Sequence, residues 1–78
     1  MKNARIAGEV FGWYGVIAIL TAYAGANLGW MEIHSLPYQL LNITGGLGIL
    51  IDAYQQKNYQ PVVLNLIWII IAIVAIMR

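Results

Sequence analysis

Three long stretches without charge divide the chain: Val10 to Met31, Ile33 to Ile51 and Asn58 to Met77. Charges stand only at their borders. Lys2, Arg5 and Glu9 lie at the start, Glu32 stands alone, Asp52 and Lys57 flank a turn, and Arg78 ends the chain. Wound as an α-helix at 1.5 Å per residue, each stretch covers about 30 Å, the hydrocarbon thickness of a bilayer. The pattern predicts an all-α integral membrane chain with transmembrane helices at about 9–28, 36–53 and 61–77. Short loops make neighbouring helices antiparallel.

Along the first helix, Gly8, Gly12, Gly15, Ala18, Ala22, Ala26 and Gly29 recur every three or four residues, which places them on one face. Gly8/Gly12 and Gly25/Gly29 also have the G-x-x-x-G spacing. Small residues let helix backbones approach closely in lipid, so Gly8, Gly12, Gly15, Ala18, Ala22, Gly25 and Gly29 are the expected packing surface. Its partner is either a helix of the same chain or another copy. Ser35 is placed to cap the second helix, with Pro37 tolerated in its first turn, and Pro61 is expected to open the third.

Composition agrees with the pattern. The 78 residues allow one domain at most, 1–78, and are 62% hydrophobic against only 9% charged. Seven charges could not hold so much aliphatic surface in water. A net charge of +1 gives no reason to expect nucleic acid as a partner, and the absence of cysteine excludes disulfides and thiolate chemistry. The run from Lys2 to Ala22-Tyr23-Ala24 also resembles a cleavable secretory signal, but is read here as a retained span. Lys2, Arg5 and Lys57 fall on one side of a three-span layout and Arg78 on the other. That bias places the N-terminus in the cytoplasm and the C-terminus in the periplasm or outside.

Amides inside the spans are the candidate chemistry. Gln39, Asn42, Gly45, Gly46 and Ile49 share a face of the second helix, and Pro61, Asn65, Trp68 and Ala72 a face of the third. Amides facing lipid lose their hydrogen bonds, so these faces are expected to meet, with the indole filling a glycine notch. Trp68 falls near mid-membrane, level with Asn42 to Gly46, where its N–H needs a partner. Two readings stay open: Asn42 and Asn65 tie helices together, or they line a pocket with Gln39 and Trp68.

The titratable groups add less. Glu9 follows Arg5 by one turn and suggests an interfacial pair, as does Asp52 near Lys57. Asn27 reads as a helix-end residue. His34, beside Glu32, lacks the companions a metal site needs, and the glycines near Gly45 lack the Lys-Ser/Thr of a phosphate loop. With no nucleophile–base pair visible, neither an enzyme nor a cofactor is expected.

The stretches "YQLLNITGG" and "PVVLNLIW", separated by a polar turn, resemble an uncharacterised family of small bacterial inner-membrane proteins. The likeness runs from Gly12-Trp13 onward and implies a three-span layout in the bacterial inner membrane. A second resemblance is to SemiSWEET half-transporters, three-helix chains that dimerise around a sugar pathway. There the third helix similarly carries a proline followed by an inward asparagine, which Asn65 matches within one residue. The first helix here lacks that family's proline hinge, and Ile49 or Leu50 stands at its sugar-stacking tryptophan position. Trp68 is not a substitute.

Together these readings favour a homo-oligomer, expected to be a dimer, whose cavity of Asn42, Asn65, Trp68, Gln39, Gly45 and Gly46 admits a small polar solute. The alternative is a structural or accessory membrane subunit that packs against a larger partner and transports nothing.

Overall fold

The computed structural model describes residues 2–78; the side chain of Lys2, which entered the charge count, lies outside that description. Three helices follow one another: α1 Lys2–Asn27, α2 Leu36–Gln55 and α3 Tyr59–Met77. The all-helical expectation holds. Helix α1 begins seven residues earlier than the expected 9, because Lys2–Ala7 contains neither glycine nor proline and continues the helix to Lys2. Helix α3 begins at Tyr59, so Pro61 sits within its first turn rather than opening it.

Two of the three helices are long and apolar enough to cross a bilayer: α1 over Asn3–Asn27, with mean hydropathy 1.4, and α3 over Tyr59–Met77, with 2.4. Helix α2 is as long as α3 but interrupts its apolar run with Gln39, Asn42, Thr44, three glycines and Asp52. Those interruptions follow from its position. Helix α2 packs against α1 on one side and α3 on the other, whereas no backbone contact joins α1 to α3. The result is a folded layer of 40 × 21 × 16 Å with α2 in the middle.

Glycine explains how closely α1 and α2 lie. A Cβ built on Gly15 would strike the Gly45 carbonyl oxygen, and one built on Gly48 would strike the Phe11 carbonyl oxygen. Gly8 meets the Gln55 side chain and Gly12 that of Asp52, while Gly45 faces Gly15, Ala18 and Ile19. Ala18 and Ala22 are buried in the same seam. The partner of the small-residue face is therefore inside the chain. The α2–α3 seam differs: at Gly46 the near neighbours are Ile69 and Asn65.

Burial runs opposite to that of a water-soluble bundle. Besides glycine, the buried residues are Ala18, Ala22, Ala53, Ala72, Ile69, Gln39, Asn42 and Asn65. Large side chains such as Phe11, Ile17, Leu20, Leu64, Ile67 and Ile71 lie half or more uncovered. Apolar surface this continuous is not left to water by a stable monomer.

Gly25 and Gly29 leave the expected packing face. Helix α1 stops at Asn27, Gly29 takes φ +82°, and nothing lies within 4 Å of where its Cβ would be. The Trp30 N–H donates to the Gly25 carbonyl at 2.8 Å and the Gly29 N–H to that of Ala26 at 3.4 Å, which is a Schellman stop. Gly25 instead meets Met31, which the loop folds back over it. Asn27 donates its amide to the Tyr23 carbonyl at 2.8 Å, a helix-end role. Ser35 caps α2 as expected, accepting from the Tyr38 N–H. Helix α2 ends in the same kind of stop as α1, with the Asn58 N–H donating to the Ala53 carbonyl and the Lys57 N–H to that of Tyr54. Here, however, the left-handed residue is Lys57, at φ 58°.

A side chain in the left-handed region costs about 1–2 kcal/mol. Lys57→Gly is therefore expected to raise stability by about 1 kcal/mol and Gly29→Ala to lower it by a similar amount, both read by thermal melting of the helical signal in detergent. Opposite signs, or no change at Lys57, would show that these turns relax away from the backbone described.

Candidate functional site

The α2–α3 seam carries the polar groups. Asn42 is 4% exposed, on the α3 side of α2, and its Oδ1 accepts from the Trp68 indole N–H at 2.8 Å. The Asn42 amide nitrogen donates to the Tyr38 carbonyl one turn back, also at 2.8 Å. Both ends of this amide are thus in use. Asn65, 5% exposed, donates to the Pro61 carbonyl at 2.8 Å, and its Oδ1 faces Gly46. Gln39 reaches over the start of α2 and donates to the Ile33 carbonyl at 2.9 Å, tying the loop down. Among the described residues, no buried side-chain nitrogen or oxygen lacks a partner.

A cleft of about 240 Å³ opens beside this bond, lined by Tyr38, Gln39, Asn42, Trp68, Ile71, Ala72 and Ala75. Three of the expected cavity residues, Gln39, Asn42 and Trp68, do line it. Asn65, Gly45 and Gly46 do not. Gly45 and Gly46 are adjacent, so about 100° of helical rotation separates them: Gly45 faces α1 and Gly46 faces α3. The filler of the Gly46 notch is Ile69, at 3.0 Å from the position of a Cβ, not the indole. Trp68 lies on the cleft wall instead and remains 42% exposed.

Two ties at the α1–α2 seam were not foreseen. Arg5 donates to Asp52 Oδ1 at 2.7 Å and to Gln55 Oε1 at 3.3 Å. Arg5 thus turns across to α2 rather than along α1 to Glu9, and Arg5 rather than Lys57 pairs with Asp52. The bare Gly12 opposite Asp52 leaves room for the carboxylate, the one sequence signal that could have suggested it. Farther along, Tyr14 O–H and Thr44 Oγ1 lie 2.7 Å apart. Since Thr44 donates its only proton to the Leu40 carbonyl at 2.8 Å, Tyr14 is the donor. A second groove, of about 250 Å³, runs beside the ion pair between Gly12, Trp13, Val16, Ile49 and Asp52. No three metal-ligating side chains gather anywhere among the described residues.

The fold and seams define a small all-helical chain with two span-length apolar helices flanking a more polar third. Residues 8–78 match the model of a family of uncharacterised proteins, and the chain belongs to that family. Neither a curated protein nor a solved structure matches it.

If the Asn42–Trp68 bond ties α3 to α2, Asn42→Leu and Trp68→Phe should each destabilise by about 0.5–2 kcal/mol, with the double variant costing less than their sum. Chemical denaturation in mixed micelles gives the three values. Strict additivity would remove this bond from the energetics of the seam.

Proposed function

We propose that the chain is a three-span protein of the bacterial inner membrane, with its N-terminus in the cytoplasm, and that it serves as a structural or accessory unit. In this reading it makes lateral contacts in the bilayer and neither catalyses a reaction nor moves solute by itself. The observation that carries the proposal is that the amide nitrogens of Gln39, Asn42 and Asn65 and the Asn42 oxygen are all engaged within the chain. Asn42 and Trp68 satisfy each other across the seam, and Asn65 satisfies its amide nitrogen on its own helix. A binding site for a polar solute needs donors and acceptors left over. Helix α2, though more polar, suits a third span because α1 and α3 cover it on two sides. The docking of the Gly8–Ala22 face onto α2 supports α1 as a retained span rather than a leader.

Since the chain has no cysteine, single introduced cysteines report sidedness cleanly. Glu32→Cys should react with a membrane-impermeant maleimide on intact cells, and Asn58→Cys only after permeabilisation. Equal reaction of both from outside would mean that α2 does not cross.

One observation favours a second reading. Gln39, Asn42 and Trp68 stand on the wall of an open cleft, which a second copy would close into a cavity for a small polar solute. A closed pair of this kind is what the expected likeness to SemiSWEET half-transporters implies. Reconstitution of the purified chain in vesicles separates the two. The accessory reading expects no solute flux above empty vesicles, together with crosslinks to a larger protein in native membranes. Flux that disappears in a folded Trp68→Leu variant would overturn it in favour of the dimer.

A further inference from the structure

At the α1–α2 loop end, a hollow of about 540 Å³ lies between the loop and the last turn of α3. It is lined by His34, Leu36, Ala75, Ile76 and Arg78. Ala75 also lines the α2–α3 cleft, so hollow and cleft share a wall and follow one strip of α3. The character of the strip changes along its length. An imidazole and a guanidinium stand at the mouth, while Ile71, Ala72 and Ala75 line the inner part as far as Trp68. Glu32 belongs to the same loop but does not line the hollow. Deeper in, the Asn42 amide and the indole N–H are engaged with partners inside the chain. Tyr38 and Gln39 line the cleft from α2, with the Gln39 amide nitrogen turned to the Ile33 carbonyl, while the wall that α3 supplies beyond Trp68 is hydrocarbon and suits an acyl chain. At the mouth an occupant needs an acceptor for Arg78.

Length adds a second constraint. From Trp68 to Met77, the last residue of α3 before Arg78, is nine steps of helix, about 14 Å of rise. One leaflet of a bilayer about 30 Å thick has that depth. We propose that this strip is a binding site for an anionic glycerophospholipid, its phosphate against Arg78 and His34 and one acyl chain along the α2–α3 cleft to Trp68. Arginine suits the role because its planar fork takes phosphate oxygens two at a time. The inference rests on the membrane reading above and adds a ligand to it.

Trp68, 42% exposed on the cleft wall, is the reporter. The full-length chain carrying Trp13→Phe and Trp30→Phe keeps Trp68 as its sole tryptophan. It is reconstituted in phosphatidylcholine vesicles containing a small fraction of phosphatidylglycerol or phosphatidylcholine brominated on the acyl chain. Brominated phosphatidylglycerol should quench Trp68 at a mole fraction about fivefold lower than brominated phosphatidylcholine, the factor one basic side chain contributes near an anionic lipid surface. Arg78→Gln, checked for unchanged helical content, should abolish the difference, and Arg78→Lys should keep part of it. Soluble glycerol 3-phosphate should not relieve the quenching. Equal quenching by the two lipids, or a preference that survives Arg78→Gln, overturns the lipid site and leaves the membrane reading standing. Relief by glycerol 3-phosphate also overturns it, in favour of a free phosphate ligand. A Trp68 that no brominated lipid quenches at any fraction removes the membrane reading, and the lipid site with it.

Discussion

Close approach of two helix backbones is the constraint on which the rest depends. Where Gly15 meets Gly45 and Gly48 meets Phe11, main chain lies against main chain, and no side chain fits between. In an apolar solvent, helices gain little from hiding hydrocarbon from hydrocarbon, so contact must come from packing density and internal hydrogen bonds. The α1–α2 seam supplies the first through glycine and alanine. At its edges the Arg5–Asp52 pair and the Tyr14–Thr44 bond add the second. The α2–α3 seam is built differently, with Ile69 set against Gly46 and an indole bonded to an amide.

This division explains the unusual composition of α2. As the middle member of the layer it gives one flank to each neighbour, and almost every residue that lowers its apolarity serves one of those flanks. Gly45, Gly48 and Asp52 serve α1, while Asn42 and Gly46 serve α3. The outer helices have the opposite duty. Each gives one narrow stripe to α2 and leaves the remainder of its circumference to aliphatic and aromatic side chains.

Much of this was legible from spacing. Helix number, the small-residue face of α1, the Ser35 cap and the meeting of the Asn42 face of α2 with the Asn65 face of α3 all follow from helical periodicity and from the cost of an unpaired polar group in hydrocarbon. What was not legible depends on rotation and on distance along the chain. Treating Gly45 and Gly46 as members of one face ignores a rotation of about 100°, which sends them to different neighbours. Arg5 and Asp52 are 47 positions apart, and local spacing offers each a nearer false partner. Gly29 has the right interval for a packing face, but an interval says nothing about where the helix stops. Only the return of the chain through Trp30 and Met31 shows that Gly29 is the stop itself. The cleft beside Trp68 was expected in outline, but its apolar wall of Ile71, Ala72 and Ala75 was not.

The missing contact between the first and last helices makes the layer separable at its second seam. Every tie in the α1–α2 seam joins residues that precede α3 in the chain. The leading hairpin therefore needs no contact from the final segment, which adds to its edge through pairings with α2 alone. Removing α3 would take away none of the ties that hold the first pair.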